Sequence, residues 1–282
     1  MQTKYFLLSL LLFAMTSCAR NAQTNQQNSS TSTQIESACE TTSTEVVVDE
    51  PTDLTCVEIP RLLSDQAQQV IEHLAYTVSH NPVWNIPNWV AYTLTSEELQ
   101  GDIPRAKKFY PDPDVEGVAV VTSDYTHSGY DRGHMAPAAD MKWSEQAMHE
   151  SFYMTNICPQ NQSLNRGDWN DLEELTRDWA MKFGEVHIVC GPLMAEEYST
   201  IGQNTKVAVP EAFFKVFLRQ KGSEWTSIGF VMPNQAVNRP MMTYMLSVDE
   251  VEAMSGIDFF YNLPNAVEDS VEKDFSISDW TL

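Results

Sequence analysis

The chain has 282 residues and carries 39 acidic against 17 basic side chains, a formal charge of −22. So acidic a balance argues against a protein that grips nucleic acid over its whole surface, because phosphate affinity normally comes from lysine and arginine. Disorder of the whole chain is excluded as well, since the stretch after residue 57 is well supplied with Trp, Phe, Tyr and Met.

Lys4 and the apolar run from Tyr5 to Met15 have the charge and length of a secretory signal peptide, and the run is too short for a comfortable membrane span. It ends in Met15-Thr16-Ser17-Cys18, a cysteine after small residues, which resembles the lipobox of bacterial lipoproteins. Residues 1–18 are therefore expected to be a lipoprotein-type leader that places the protein at the cell envelope, held to a membrane by a lipid on Cys18. A secreted protein cleaved nearby is the alternative. Residues 19–56 are rich in Gln, Asn, Ser and Thr, bury too little to offset chain entropy, and predict a tether. Cys39 and Cys56 could pair in an oxidising compartment.

Residues 57–282 are the length of one domain, and no solenoid-period repeat runs through them. Residues 88–94 alternate as a strand does, and 117–121 predict a short second one. Pro104, Pro111 and Pro113 mark an irregular loop between them that carries Arg105. Next comes Asp131-Arg132-Gly133-His134. On an extended segment alternate side chains share a face, so Arg132 and His134 can reach one bound anion. An arginine fork clamps phosphate, and a histidine beside it can take a proton near neutral pH.

The spacing predicts a helix over 143–153 opened by Ser144, a loop at 157–160, and a helix entry at Asn165-Arg166-Gly167-Asp168 leading into a long helix over 169–183. Glu173 and Arg177 stand one turn apart on that helix, with Asn165 at its open end. An amide oxygen beside a carboxylate suffices for a hard cation such as Mg²⁺, which prefers oxygen ligands and keeps much of its water. Each residue also has a blander reading: Asn165 as a helix cap, Glu173 with Arg177 as an exposed ion pair, His134 as a hydrogen-bonded core histidine. Further on, 185–190 predicts a strand closed by Gly191-Pro192, and 213–218 with 226–232 a strand pair around a turn at 220–223. Ser247 opens a helix with a capping box that Gly256 stops. Cys158 and Cys190 read as small buried hydrophobes, and no Cys/His spacing fits a zinc finger. Basic residues between Arg105 and Lys182 leave room for a local positive groove, while the acidic C-terminal run reads as solvated surface. Strands and helices mixed in this order predict an α+β fold.

Three motifs in order, Asp131-Arg132-Gly133-His134, Thr155-Asn156-Ile157-Cys158-Pro159-Gln160 and the run from Leu164 to Glu173, resemble the DNA/RNA non-specific endonuclease family. These are the ββα-metal (His-Me finger) nucleases, which include the Serratia-type secreted nucleases and mitochondrial endonuclease G. The similarity runs from Asn88-Trp89-Val90-Ala91-Tyr92, through Cys190-Gly191-Pro192-Leu193, to Ser247-Val248-Asp249-Glu250.

The resemblance implies a central, mainly antiparallel sheet flanked by helices, and a metal-dependent, sugar-non-specific endonuclease that hydrolyses DNA and RNA to 5′-phosphorylated products. It implies His134 as general base, and Asn165 as the direct ligand of one divalent cation, Mg²⁺ with Mn²⁺ or another as alternatives. Glu173 would hold that cation through water. Arg105, Arg132 and Arg177 would contact phosphate, Asn156 would support the site, and Asp131 would orient its neighbours. DNA and RNA would be bound through their phosphate backbones. Gly133 is expected to let the scissile phosphate approach the backbone closely. Two other functions fit less of the sequence: a phosphodiesterase acting on other phosphodiesters, and a catalytically silent nucleic-acid-binding envelope lipoprotein, which would have no need of His134, Asn165 and Glu173 together.

Overall fold

A computed structural model describes residues 54, 56–236 and 238–281; the expectations for residues 1–18 and for nearly all of 19–56, Cys39 included, lie outside the described residues. In chain order the strands are β1 (Arg61–Leu62), β2 (Gln69–Glu72), β3 (Thr77–Asn81), β4 (Ile86–Thr95), β5 (Asp131–His134), β6 (Ile157–Gln160), β7 (Glu185–Leu193), β8 (Thr200–Ile201), β9 (Val207–Ala208), β10 (Ala212–Lys221), β11 (Glu224–Pro233), β12 (Met245–Leu246) and β13 (Ile257–Asp258). The α-helices are α1 (Glu145–Glu150), α2 (Gln162–Arg166), α3 (Asp168–Phe183), α4 (Val248–Ser255) and α5 (Asn265–Lys273).

Seven strands form the central sheet in the order β12-β11-β10-β7-β4-β3-β2, with antiparallel neighbours throughout. Both faces of its middle are covered, which is why β10 is buried without alternation from Ala212 to Arg219, Lys215 and Arg219 being its charged members. Phe213 and Phe217 meet Trp169 and Trp179 of α3 at ring distances of 5.6 and 5.2 Å. Phe214, one residue out of phase, points to the opposite face and meets Phe259 at 5.4 Å. Each of these buried rings is worth about 1.5–3 kcal/mol relative to exposure.

Helix α3 buries Trp169, Leu172, Thr176, Trp179 and Ala180, a stripe at three- and four-residue spacing, and ends at Gly184, whose φ of 94° suits glycine. The capping box at Ser247 and the left-handed Gly256 bound α4 as the sequence predicts. The α+β class with a central antiparallel sheet is thus as expected.

Several boundaries differ. Residues 117–121 form no strand; Val118 is 74% exposed, and although Val120 is buried in the core, the run has no partner strand to pair with. Residues 157–160 are strand β6 rather than a loop, paired antiparallel with β5 so that Pro159 lies opposite Arg132. A two-stranded ribbon tolerates a proline that would break a central strand. The helix after Ser144 is shorter than 143–153, although the Ser144 hydroxyl does cap it by accepting from Gln146 and Ala147 N–H. Asn165 belongs to the short α2, which Gly167 separates from α3 with backbone angles of −116° and −116°. Strand β7 runs on through Gly191 and Pro192 instead of closing there.

Candidate active site

Strands β5 and β6, followed by α2 and α3, form a ββα unit against one face of the sheet. A cavity of about 280 Å³ opens there, and its polar lining is Arg105 from the loop after β4, Arg132 and His134 from β5, Asn165 from α2, and Asn170, Glu173 and Arg177 from α3. The strand alternation expected to aim Arg132 and His134 together therefore holds. Glu173 and Arg177 share the face of α3 that looks at them.

His134 is 7% exposed and lies between Phe109 and Phe152, at ring distances of 5.4 and 4.9 Å. Its Nε2 is enclosed without a protein partner, so it is not the hydrogen-bonded core histidine of the blander reading. Burial, reinforced by the Arg105 guanidinium, pushes its pKa down to about 3, and the imidazole is neutral at ordinary pH. Glu173 is pushed the other way. Burial raises its carboxyl to about 7, with Asp140 adding to the rise and Lys215, Arg177 and Arg105 opposing it.

The arginines are held before any ligand arrives. Arg132 donates from Nη2 to the Thr122 carbonyl at 2.9 Å and lies over the rings of Phe109 and Tyr125, at 5.5 and 5.7 Å. Arg177 pairs with Asp140 at 3.1 Å, and Asp140 also accepts from the Tyr92 hydroxyl at 3.1 Å. Arg177's ion pair is thus with Asp140, not the i,i+4 pair with Glu173. Arg105 is exposed, its guanidinium 5.1 Å from the Phe152 ring.

Asn165 does not cap a helix; Asn161 caps α2, accepting from Ser163 and Leu164 N–H. Asn165 donates from Nδ2 to Asp131 at 3.1 Å, and the same carboxylate takes both Arg166 donors at 2.8 and 2.9 Å. Asp131 thus fixes the nitrogen end of the amide. An amide oxygen so oriented, with a poorly solvated carboxylate at Glu173 on the same cavity wall, is a donor set that fits a hard divalent cation.

Asn156 does not line the cavity. It is fully buried, its Oδ1 accepting from Ala136 N–H at 2.8 Å and its Nδ2 donating to the Ala136 and Ser151 carbonyls at 2.8 and 2.9 Å. It holds the chain just after His134 in place. Gly133 has a reason within the protein itself. A Cβ there would come within 2.6 Å of the Gln160 Cβ and nearer still to its Oε1, so a side chain of the paired strand already approaches the glycine closely.

Sequence reasoning missed Asn170, Asp140 and Lys215. Lys215 is fully buried, its Nζ without a hydrogen-bond partner and 4.6 Å from the centre of the Trp169 ring. A lone lysine inside the apolar run 213–218 was the available signal. Asp140 carried none, since its role depends on Arg177 and Tyr92 arriving beside it.

Residues 57–266 match the family described as DNA/RNA non-specific endonuclease. A mitochondrial nuclease named EXOG from Danio rerio is 41% identical over 201 residues, covering 66% of this chain and 59% of that protein. The chain therefore spans less than two thirds of that relative's length. Mitochondrial Nuclease 1 of Schizosaccharomyces pombe is 37% identical over 219 residues, covering 70% of this chain and 67% of that one. The crystal structure of an EndoG/EndoGI complex, which concerns the mechanism of EndoG inhibition, matches with a TM-score of 0.66 and 31% identity over 71% of this chain and 89% of that one.

These relatives correct the expected location. Both named nucleases are mitochondrial, pointing to mitochondria rather than to a bacterial envelope lipoprotein anchored at Cys18 or a secreted protein. A basic residue before a short apolar run is an address read by a receptor, so its composition leaves the compartment open.

Proposed function

Because this chain belongs to the DNA/RNA non-specific endonuclease family, we propose that it is a metal-dependent endonuclease hydrolysing phosphodiester bonds in both DNA and RNA to 5′-phosphorylated products. Residues 57–282 would be the catalytic domain and 19–56 a tether to it. The observation that carries this reading is the convergence of Arg105, Arg132, His134, Asn165, Glu173 and Arg177 on one cavity, from a loop, a strand and two helices of a protein with a net charge of −22.

The geometry supports the roles that the family resemblance implies. Arg105, Arg132 and Arg177 clamp the scissile phosphate; tethered to Thr122 and Asp140, the last two lose little freedom on binding. His134 takes a proton from the attacking water on a ring nitrogen. It is neutral before substrate binds, and a phosphate beside Arg105 offsets the guanidinium charge and raises the basicity of the imidazole. Asn165 would hold a divalent cation by its amide oxygen and Glu173 would steady it through water; Mg²⁺ fits this oxygen set. When bound, that cation supplies charge neutralisation at the phosphate and aid to the departing oxygen. Asp131 sets the Asn165 amide, and Asn156 sets the backbone that carries His134. Contacts to phosphate alone do not read bases.

The test is digestion of plasmid DNA and of RNA with Mg²⁺, with excess chelator, and by the His134→Ala and Asn165→Ala chains. His134→Ala should slow cleavage by about 10²–10⁴-fold, the usual worth of a positioned acid–base group, and Asn165→Ala should slow it and raise the Mg²⁺ concentration needed. Chelator should abolish cleavage. Wild-type rates from His134→Ala would remove the base assignment, and cleavage in excess chelator would remove the cation.

A further inference from the structure

Across the central sheet from α3, helices α4 and α5 pack on β11 and on each other. Asp249 and Glu252 share one face of α4 at i,i+3 spacing, and Glu272 comes from α5. One carboxylate oxygen from each of the three lies within 4.8 Å of the others. Asp249 is exposed and Glu252 half-buried, but Glu272 is only 4% exposed, and its Oε1 is enclosed without any hydrogen-bond partner. Glu252 differs, since one of its oxygens accepts from Phe259 N–H at 2.7 Å. Arg61 is committed to Asp258 at 2.6 Å, and Lys273 follows Glu272 at the end of α5. An enclosed carboxylate oxygen with no donor, on a residue clustered with two further carboxylates, is unfavourable unless a proton or a cation neutralises the group, and burial with Glu252 beside it raises the Glu272 carboxyl to about 10.

We propose that Asp249, Glu252 and Glu272 form a second divalent-cation site, of the calcium class, that clips α4 to α5. Calcium takes oxygens at about 2.3–2.6 Å, so two ligands on opposite sides of it stand roughly 4.6–5.2 Å apart. The three oxygens lie within 4.8 Å of one another, close enough for one calcium ion to gather them with small side-chain adjustments. Mg²⁺ demands near-ideal octahedral geometry, which three carboxylates drawn from two helices meet less readily than calcium's flexible shell. The exposed Asp249 leaves an open side for the waters that complete the shell. Because the sheet separates this site from the cavity on α3, the cation here acts on stability and not on the scissile phosphate.

The experiment titrates CaCl₂ into the full chain by calorimetry in an Asn165→Ala background, which removes the candidate ligand in the cavity, and follows Tm with and without CaCl₂. The Asn165→Ala chain should bind calcium and gain Tm on binding. Adding Glu272→Gln should weaken binding by at least about tenfold and abolish the Tm gain, as expected when a charged ligand is lost. Asp249→Asn, at an exposed position that cannot compromise folding, should weaken binding too, and in the otherwise wild-type chain should leave Mg²⁺-dependent cleavage unchanged. No calcium binding by the Asn165→Ala chain, or binding and Tm response unaltered by both carboxylate substitutions, would overturn the site.

Discussion

Two titratable groups of the cavity are driven in opposite directions by the same low-dielectric surroundings. Burial disfavours charge on either group, so it lowers His134 to about 3 and raises Glu173 to about 7. Pushing two groups apart in this way separates a neutral proton acceptor from a carboxylate that gains by meeting a cation. Arg105 is the second cause of the His134 shift, which gives it an effect beyond phosphate binding. Removing its charge must raise the imidazole pKa, so His134 becomes protonated at a higher pH. The acid limb of log kcat/KM against pH should therefore move upward in Arg105→Gln, with KM raised as well. A limb that stays in place would show that burial alone sets the base.

The β5–β6 ribbon matters because a single register brings Gly133 opposite Cys158 and lays the Gln160 side chain across the glycine. Gly133→Ala should cost about 1–3 kcal/mol by overpacking, seen as a lower denaturation midpoint in urea. Gln160→Ala in the same chain should recover part of that loss, whereas an equal loss with and without Gln160 would place the strain elsewhere. Long elements are legible in the residue pattern: α3 shows helical spacing, and β4, β7, β10 and β11 carry runs of β-branched and aromatic residues long enough to stand out. The ribbon is not. Pro159 looks like a breaker in isolation, and only pairing with β5 makes residues 157–160 a strand. The run 117–121 fails for the converse reason, having β propensity but no partner.

For the molecule as a whole, an acidic surface and a basic cavity pull nucleic acid in opposite directions, and the grip must rest on the few arginines that line the cavity. About three phosphate contacts give a slope of roughly −2.7 for the logarithm of duplex affinity against the logarithm of salt concentration. The KM for duplex DNA should rise accordingly between about 50 and 200 mM salt, the range over which counterion release is usually read. A flat profile would mean that the arginines do not set affinity.

Residue types and their order determined much by themselves. Arg132 with His134, and Glu173 with Arg177, stand where local periodicity puts them, on one strand and on one helix face, because β alternation and helical spacing are properties of the chain alone, whereas Asn165 reaches the cavity from the separate α2. Partners that arrive from far along the sequence were decided only by tertiary structure. Asp140 takes Arg177 across 37 residues, Asp131 takes Asn165 across 34, and Gln160, 27 positions on, explains Gly133. Lys215 is brought beside Trp169 by the packing of α3 on β10. Burial is likewise collective, so the shifts of His134 and Glu173, and the enclosure of Glu272 beneath α4, exist only once the layers close over them.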